Sequence, residues 1–196
     1  MTVLFNHNLN SNLETLTFKT LVNNREATLD YFDLFDKKRV VVFSLPTMLT
    51  NFSWEQLLAF DQAHKEFQAL GIDQICCVNS NLESRLLAYY ANKFSRTAIP
   101  LPDLDRKFMT VVTDHFDISK DPQELARFWQ YIVIVNNGIP EKLFQNPIKS
   151  NMPLRIAKSV KYQYHNLGPE PVKKYLTTQD KISKITNTNS AGLAQG

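Results

Sequence analysis

The sequence predicts an α/β fold, and three consecutive stretches carry that prediction. Arg39 to Leu45 (RVVVFSL) is rich in β-branched residues and hardly alternates, the mark of a strand buried on both faces. From Trp54 to Leu70 the apolar residues Leu57, Phe60, Ala63, Phe67 and Leu70 recur at steps of three and four, as in an amphipathic helix, and Gly71 stops it. IDQICCVN then supplies a second buried strand. Strand, helix and strand in this order make a parallel pair by the handedness of such crossovers.

The remaining elements fall around this unit. Leu13 to Val22 and Glu26 to Leu29 read as an N-terminal β-hairpin about the turn NNR, whose Asn23 and Asn24 tolerate positive φ. Pro46 ends the first core strand. Glu83 to Lys93 is a helix with Leu86, Leu87 and Tyr90 on one side, Ile99 to Leu101 is a short extended piece, and DRKFMTVV is a short helix. Tyr131 to Val135, the turn NNG and Ile139 to Phe144 form a hairpin in which Pro140 belongs on an edge or faces away from the ladder. Helical patterns recur at Leu154 to Lys161 and Pro171 to Leu176. Beyond Thr177 the chain is polar and rich in small residues, so residues 1–176 are expected to form one domain and residues 177–196 a disordered tail.

Composition narrows the function classes. At 196 residues, 43% hydrophobic and 21% charged, the chain suits one globular domain with a sizeable core. No apolar run reaches the roughly 18 residues of a spanning helix, and the start MTVLFNHNLNSNLE lacks the basic and apolar regions of a secretory signal. No membrane association and a cytoplasmic location are therefore expected. The net charge of +3 gathers between Lys149 and Lys174, but a solvated helix face accounts for it and no recognition motif accompanies it, so no nucleic-acid partner is expected.

Most common chemistries lack their motif. His7, His64, His115 and His165 are scattered and no CxxC occurs, which disfavours a metal site. Neither GxGxxG nor GxxxxGK[ST] is present, nor any other cofactor motif, and GxSxG is missing. The two cysteines, Cys76 and Cys77, are adjacent within an apolar strand, where alternation points them to opposite faces as small buried hydrophobes.

What remains is the turn after the first core strand. A strand feeding a helix aims backbone N–H groups and a partial positive charge at the first helical turn, which lowers the pKa of a thiol placed there. Here that position holds Ser53, and serine needs a general base that the nearby sequence does not display. Ser53 also fits a structural role: Ser-Trp-Glu-Gln matches the S/T-x-x-E/Q capping box, with Ser53 as N-cap and Gln56 three residues on. Thr50 competes as the cap. Arg127, in ELARFWQYIV, reads as an ordinary surface arginine.

At this turn the sequence resembles the peroxiredoxins, whose active-site pattern is P-x-x-x-T/S-x-x-C. The chain reads Pro46-Thr47-Met48-Leu49-Thr50-Asn51-Phe52-Ser53 after VVVFSLP, similar to the atypical subfamily that includes bacterial peroxiredoxin–glutaredoxin fusions. HKEFQALGIDQICCVNSN, IPLPDLDRKF and ARFWQYIVIVNNGIPEKLFQNP resemble further segments in order, so the likeness runs from about Phe18 to Pro147. It implies a thioredoxin-like fold, a central mixed β-sheet flanked by helices. By position it also implies that Thr50 holds a peroxide, Arg127 orients and supports the nucleophile, and Pro46 shields the site.

Ser53 stands at the peroxidatic cysteine's place. Thr47 replaces the usual glycine, Asn51 the usual proline, and Gln130 a second arginine, so the resemblance implies a degenerate site. The expectation is a binding or regulatory relative without peroxidase turnover, with homodimer formation implied by the subfamily. The alternative is a glutathione- or glutaredoxin-coupled one-cysteine peroxidase of hydrogen peroxide and alkyl hydroperoxides, with serine substituted at 53 or with Cys76 or Cys77 carrying the chemistry. Its partners would be a peroxide and a small thiol.

Overall fold

In a computed structural model of the chain, which describes residues 13–23, 25–45, 51–80, 93, 95–118, 130–145 and 168–193, Arg39–Ser44 is the middle strand of a five-stranded sheet. A 3-10 turn at Leu13–Thr15 precedes β1 (Phe18–Val22), β2 (Arg25–Leu29), α1 (Tyr31–Leu34) and β3 (Arg39–Ser44). Then come α2 (Asn51–Gln62), α3 (His64–Ala69), β4 (Gln74–Asn79), β5 (Ala98–Pro102) and α4 (Lys107–His115). The described chain closes with β6 (Tyr131–Asn136), β7 (Ile139–Gln145) and α5 (Glu170–Leu193).

The large sheet has the order β5-β4-β3-β6-β7. β3 pairs parallel with β4, and β4 with β5, while β3–β6 and β6–β7 are antiparallel, so the sheet is mixed. The apolar run of β3 is explained by this central place: Val40 to Phe43 are all fully buried. β1 and β2 pair separately as the N-terminal hairpin, which the Thr20 hydroxyl fastens to the edge strand β5 by donating to the Pro100 carbonyl at 2.6 Å. Prolines in β5 and β7 are tolerated because both strands lie at sheet edges.

Each face of the sheet carries its own core. On one side Val41, Phe43, Ile132 and Ile134 meet Leu57 and Phe60 of α2, Phe67 of α3, and Val172 and Leu176 of α5. On the other, Val40, Val42, Val133 and Val135 meet Leu13, Phe18, Phe35 and, from α4, Phe108 and Val112. Cys77 belongs to the first cluster and Cys76 to the second, as alternation along β4 requires.

The β6–β7 turn places Asn137 and Gly138 at φ of 49° and 76°, the left-handed pair that a tight two-residue hairpin needs. One residue of β7 is extra: Val135 faces Pro140 and Ile134 faces Lys142, leaving Glu141 as a bulge. Glu141 bonds Arg39 of β3 and accepts from the Tyr175 hydroxyl at 3.1 Å, which ties α5 to the sheet.

Three local expectations change. Leu13–Thr15 turns as a 3-10 segment, so the first hairpin strand starts only at Phe18. The helix expected from Trp54 begins at Asn51 and breaks at Ala63, giving α2 and α3. The helix expected over Pro171 to Leu176 is longer, α5 running from Glu170 to Leu193. Once Val172 and Leu176 dock the first turns, each further residue adds a hydrogen bond at little cost. The exposed Lys184–Asp180 pair at 2.7 Å supports that extension. Of the expected helices, Leu154 to Lys161 lies outside the described residues, and of Glu83 to Lys93 only the helical Lys93 is described. No helix among the described residues is long and apolar enough to cross a membrane.

Candidate functional site

The ends of β3 and β4 and the start of β6 meet on one edge of the sheet, and polar groups hold them together there. The Leu45 N–H donates to the Val78 carbonyl at 2.8 Å, and the Asn79 side-chain amide donates back to the Leu45 carbonyl at 2.6 Å. The Tyr131 N–H donates to the Ser44 hydroxyl oxygen at 2.8 Å. From Asn79 the line continues, since its carbonyl accepts from the Asp103 N–H at 2.9 Å. The Asp103 carboxylate in turn accepts from the Ser80 hydroxyl and from the N–H groups of Phe108 and Met109 in the first turn of α4. Burial raises the Asp103 carboxyl above the ordinary carboxylate value in spite of these donors.

α2 starts six residues after Leu45 and carries Ser53 in its first turn. Ser53, Gln56, Leu57 and Phe60 follow the i, i+3, i+4, i+7 spacing of one helix face, and all four are buried: 0% exposed for Ser53, Leu57 and Phe60, 1% for Gln56. Ser53 is therefore the third residue of the helix and not its N-cap; the capping-box reading fails because the helix begins at Asn51. Phe60 locks the face down, stacked on Phe43 with centroids 4.1 Å apart and on Phe67 at 5.9 Å. Gln130, directly before β6, is buried as well.

Pro46, Thr47, Thr50 and Arg127 lie outside the described residues; of the expected constellation the structure describes Ser53, buried in the first turn of α2, and Gln130, buried directly before β6. Asn51 begins α2. At Ser53 the backbone of a helical first turn favours negative charge, yet an alcohol stays protonated there. Cys76 and Cys77 are free and wholly buried; burial pushes the Cys76 thiol up to about 12 and the Cys77 thiol also well above its ordinary value. Among the described residues no three His, Cys, Asp or Glu side chains gather as metal ligands.

Asn79, Asp103 and Ser44 were not singled out by sequence reasoning. Asn79 did carry a signal, as a polar residue closing an apolar strand, and Asp103 stands just ahead of a helix.

Comparison with known proteins shows what the chain is similar to. No protein-family model matches the chain. The hybrid peroxiredoxin hyPrx5 of Haemophilus influenzae is 25% identical over 173 residues, covering 86% of this chain and 66% of that protein. A peroxiredoxin of Synechocystis is 32% identical over 119 residues, covering 58% of this chain and 60% of that protein. This chain thus spans slightly under two thirds of the length of these relatives. Among solved structures, reduced Prx3 of Vibrio vulnificus in complex with hydrogen peroxide has a TM-score of 0.54 at 22% identity, covering 72% of this chain and 89% of its own. The one-cysteine peroxiredoxin of Plasmodium falciparum has a TM-score of 0.56 at 18% identity, covering 79% and 84%. At these identities the structural matches establish the fold: a mixed sheet flanked by helices, thioredoxin-like as in the peroxiredoxins. In sequence the chain is similar to these peroxiredoxins, and it has the thioredoxin-like fold of the peroxiredoxin structures.

Proposed function

We propose that this chain does not turn over peroxide and acts instead as a binding or regulatory member of its family. One observation carries the reading: the buried first-turn position of α2 holds an oxygen, Ser53, while the only two thiols in the sequence, Cys76 and Cys77, are fully buried. Peroxide reduction by a thiol needs a thiolate to attack the O–O bond and become a sulfenic acid, releasing water or an alcohol. An alcohol side chain has no corresponding oxidation, and a thiol with a pKa near 12 is ionised in about one molecule in 10⁵ at pH 7. Under this reading Thr50, Arg127 and Pro46 are retained from the family's site without its nucleophile, and the protein works as a homodimer in the cytoplasm.

The test is consumption of hydrogen peroxide by the reduced chain with a thiol donor, followed by intact mass. No consumption and an unchanged mass are expected. Peroxide loss together with a gain of one oxygen or of a donor adduct on Cys76 or Cys77 would sink the proposal.

Retention of Thr50 and Arg127 favours a second reading, a one-cysteine thiol peroxidase whose gene encodes cysteine at position 53. Its substrates would be hydrogen peroxide and alkyl hydroperoxides and its reductant a small thiol. Sequencing codon 53 in the source genome separates the two, because a serine codon leaves only the first.

A further inference from the structure

Asn137–Gly138 is the only Asn-Gly pair in the sequence, and an asparagine followed by glycine can react with its own backbone. In an unconstrained chain the Gly138 nitrogen attacks the Asn137 amide carbon, Cγ. The N–Cγ bond forms, the Cγ–Nδ2 bond breaks, and ammonia leaves with the Gly138 amide proton, closing a five-membered succinimide. Water then opens the ring at either carbonyl, giving aspartate or isoaspartate. The reaction needs no other reactant, but the Gly138 nitrogen and Cγ must first come into near-attack geometry, about 3–3.5 Å apart.

In this fold α1 and the turn that follows it hold three groups of Asn137. Its Oδ1 accepts from the Lys37 N–H at 2.9 Å, its N–H donates to the Lys38 carbonyl at 2.8 Å, and its carbonyl accepts from the Tyr31 hydroxyl at 3.4 Å. The side-chain amide is thus engaged across the fold, by a residue 100 positions earlier. Asn137 is nevertheless exposed, so water is not what the fold withholds. We propose that Asn137–Gly138 is a modification site that the fold keeps shut: the bond from Lys37 to Oδ1 holds Cγ away from the Gly138 nitrogen, and the pair converts only in chains whose α1–β3 and β6–β7 turns have parted. Conversion marks those chains permanently. Aspartate keeps an acceptor for the Lys37 N–H and adds negative charge beside Lys37 and Lys38. Isoaspartate adds a carbon to the main chain of a two-residue turn, which then no longer fits the Asn136–Ile139 pairing. The proposal is independent of the chemistry at position 53.

Peptide mapping of the full chain after incubation at pH 8 tests this, reading the amide-to-acid mass change at Asn137 and distinguishing isoaspartate by fragmentation. Conversion should be at least about tenfold slower in the folded chain than in the same chain unfolded in guanidinium, because it waits on a local opening. A smaller difference overturns the proposal, as does an absence of conversion in the unfolded chain. Exchange of the Lys37 amide proton, followed by NMR at guanidinium concentrations below the unfolding midpoint, tests the cause. Conversion and Lys37 exchange should rise together by the same factor. Conversion that accelerates while the Lys37 amide stays protected overturns the assignment, since the site would then open with its bond to Lys37 intact.

Discussion

The Asn79 amide donates to the Leu45 carbonyl at 2.6 Å, joining the ends of two parallel strands just where the chain leaves the sheet toward α2. Leu45 has no residue opposite it in the β3–β4 register, so without Asn79 its carbonyl would be left in a buried setting. We predict that Asn79→Ala costs about 1–3 kcal/mol, the usual penalty for stranding a buried acceptor. Asn79→Asp should cost more at neutral pH, since a carboxylate would face a carbonyl, and recover as the pH falls and the acid becomes a donor. Urea denaturation of both variants at pH 5 and pH 7 measures this; equal losses at the two values would contradict it.

Gly138 sits at φ 76°, and a methyl group there would come within 2.6 Å of the Tyr31 hydroxyl and closer still to the ring. The Tyr31 ring would have to shift, and the left-handed backbone adds its own cost. Gly138→Ala should therefore destabilise by about 1–2 kcal/mol. That corresponds to a fall in Tm of roughly 2–8 °C for a chain of this size. Thermal melts of Gly138→Ala and Gly138→Asn check it, because asparagine tolerates this region and should lose less.

Stability should fall in alkali. In the unfolded chain a cysteine thiol ionises near about 8.5, whereas burial holds Cys76 protonated to about 12 and raises Cys77 and Tyr131 as well. Above the unfolded value the unfolded state has lost protons that the folded state keeps, so each further pH unit favours unfolding. The contribution of Cys76 is fully present below pH 8.5 and declines toward pH 12 at about 1.4 kcal/mol per unit. Cys76→Ala and Cys76→Val should flatten the profile of unfolding free energy between pH 9 and 10, measured against pH 8.

Phe60 and Phe32 give opposite expectations for the same substitution. Phe60 is fully buried between Phe43 and Phe67, and Phe60→Ala should cost about 3–5 kcal/mol. Phe32 is 71% exposed on α1, so Phe32→Ala should change stability by about 0.5 kcal/mol or less. Chemical denaturation of the two variants would refute the core assignment if their order were reversed.

Much of the fold was legible in periodicity alone. Val40 to Phe43 do not alternate because both faces of a central strand are covered, and the pattern therefore announces burial without needing partners. The opposite facing of Cys76 and Cys77 follows from strand geometry in the same way. Asn137 and Gly138 declared their turn because few residues accept positive φ. The break at Ala63 was not legible, since Ala63 keeps the helical spacing of buried residues across it.

For the site, the sequence by itself determined the chemistry available: an oxygen at position 53, and two thiols confined to an apolar strand. Side-chain identity is local information, and no fold can turn serine into a sulfur nucleophile. Tertiary structure decided which distant polar groups meet. Asn79 meets Leu45 and Asp61 meets residues 95–97 across long stretches of chain, through contacts that depend on strand order and helix docking. Those contacts are selected by the whole sheet's packing, and an acidic residue that looks misplaced at the end of its own helix becomes favourable only once its donors arrive from elsewhere.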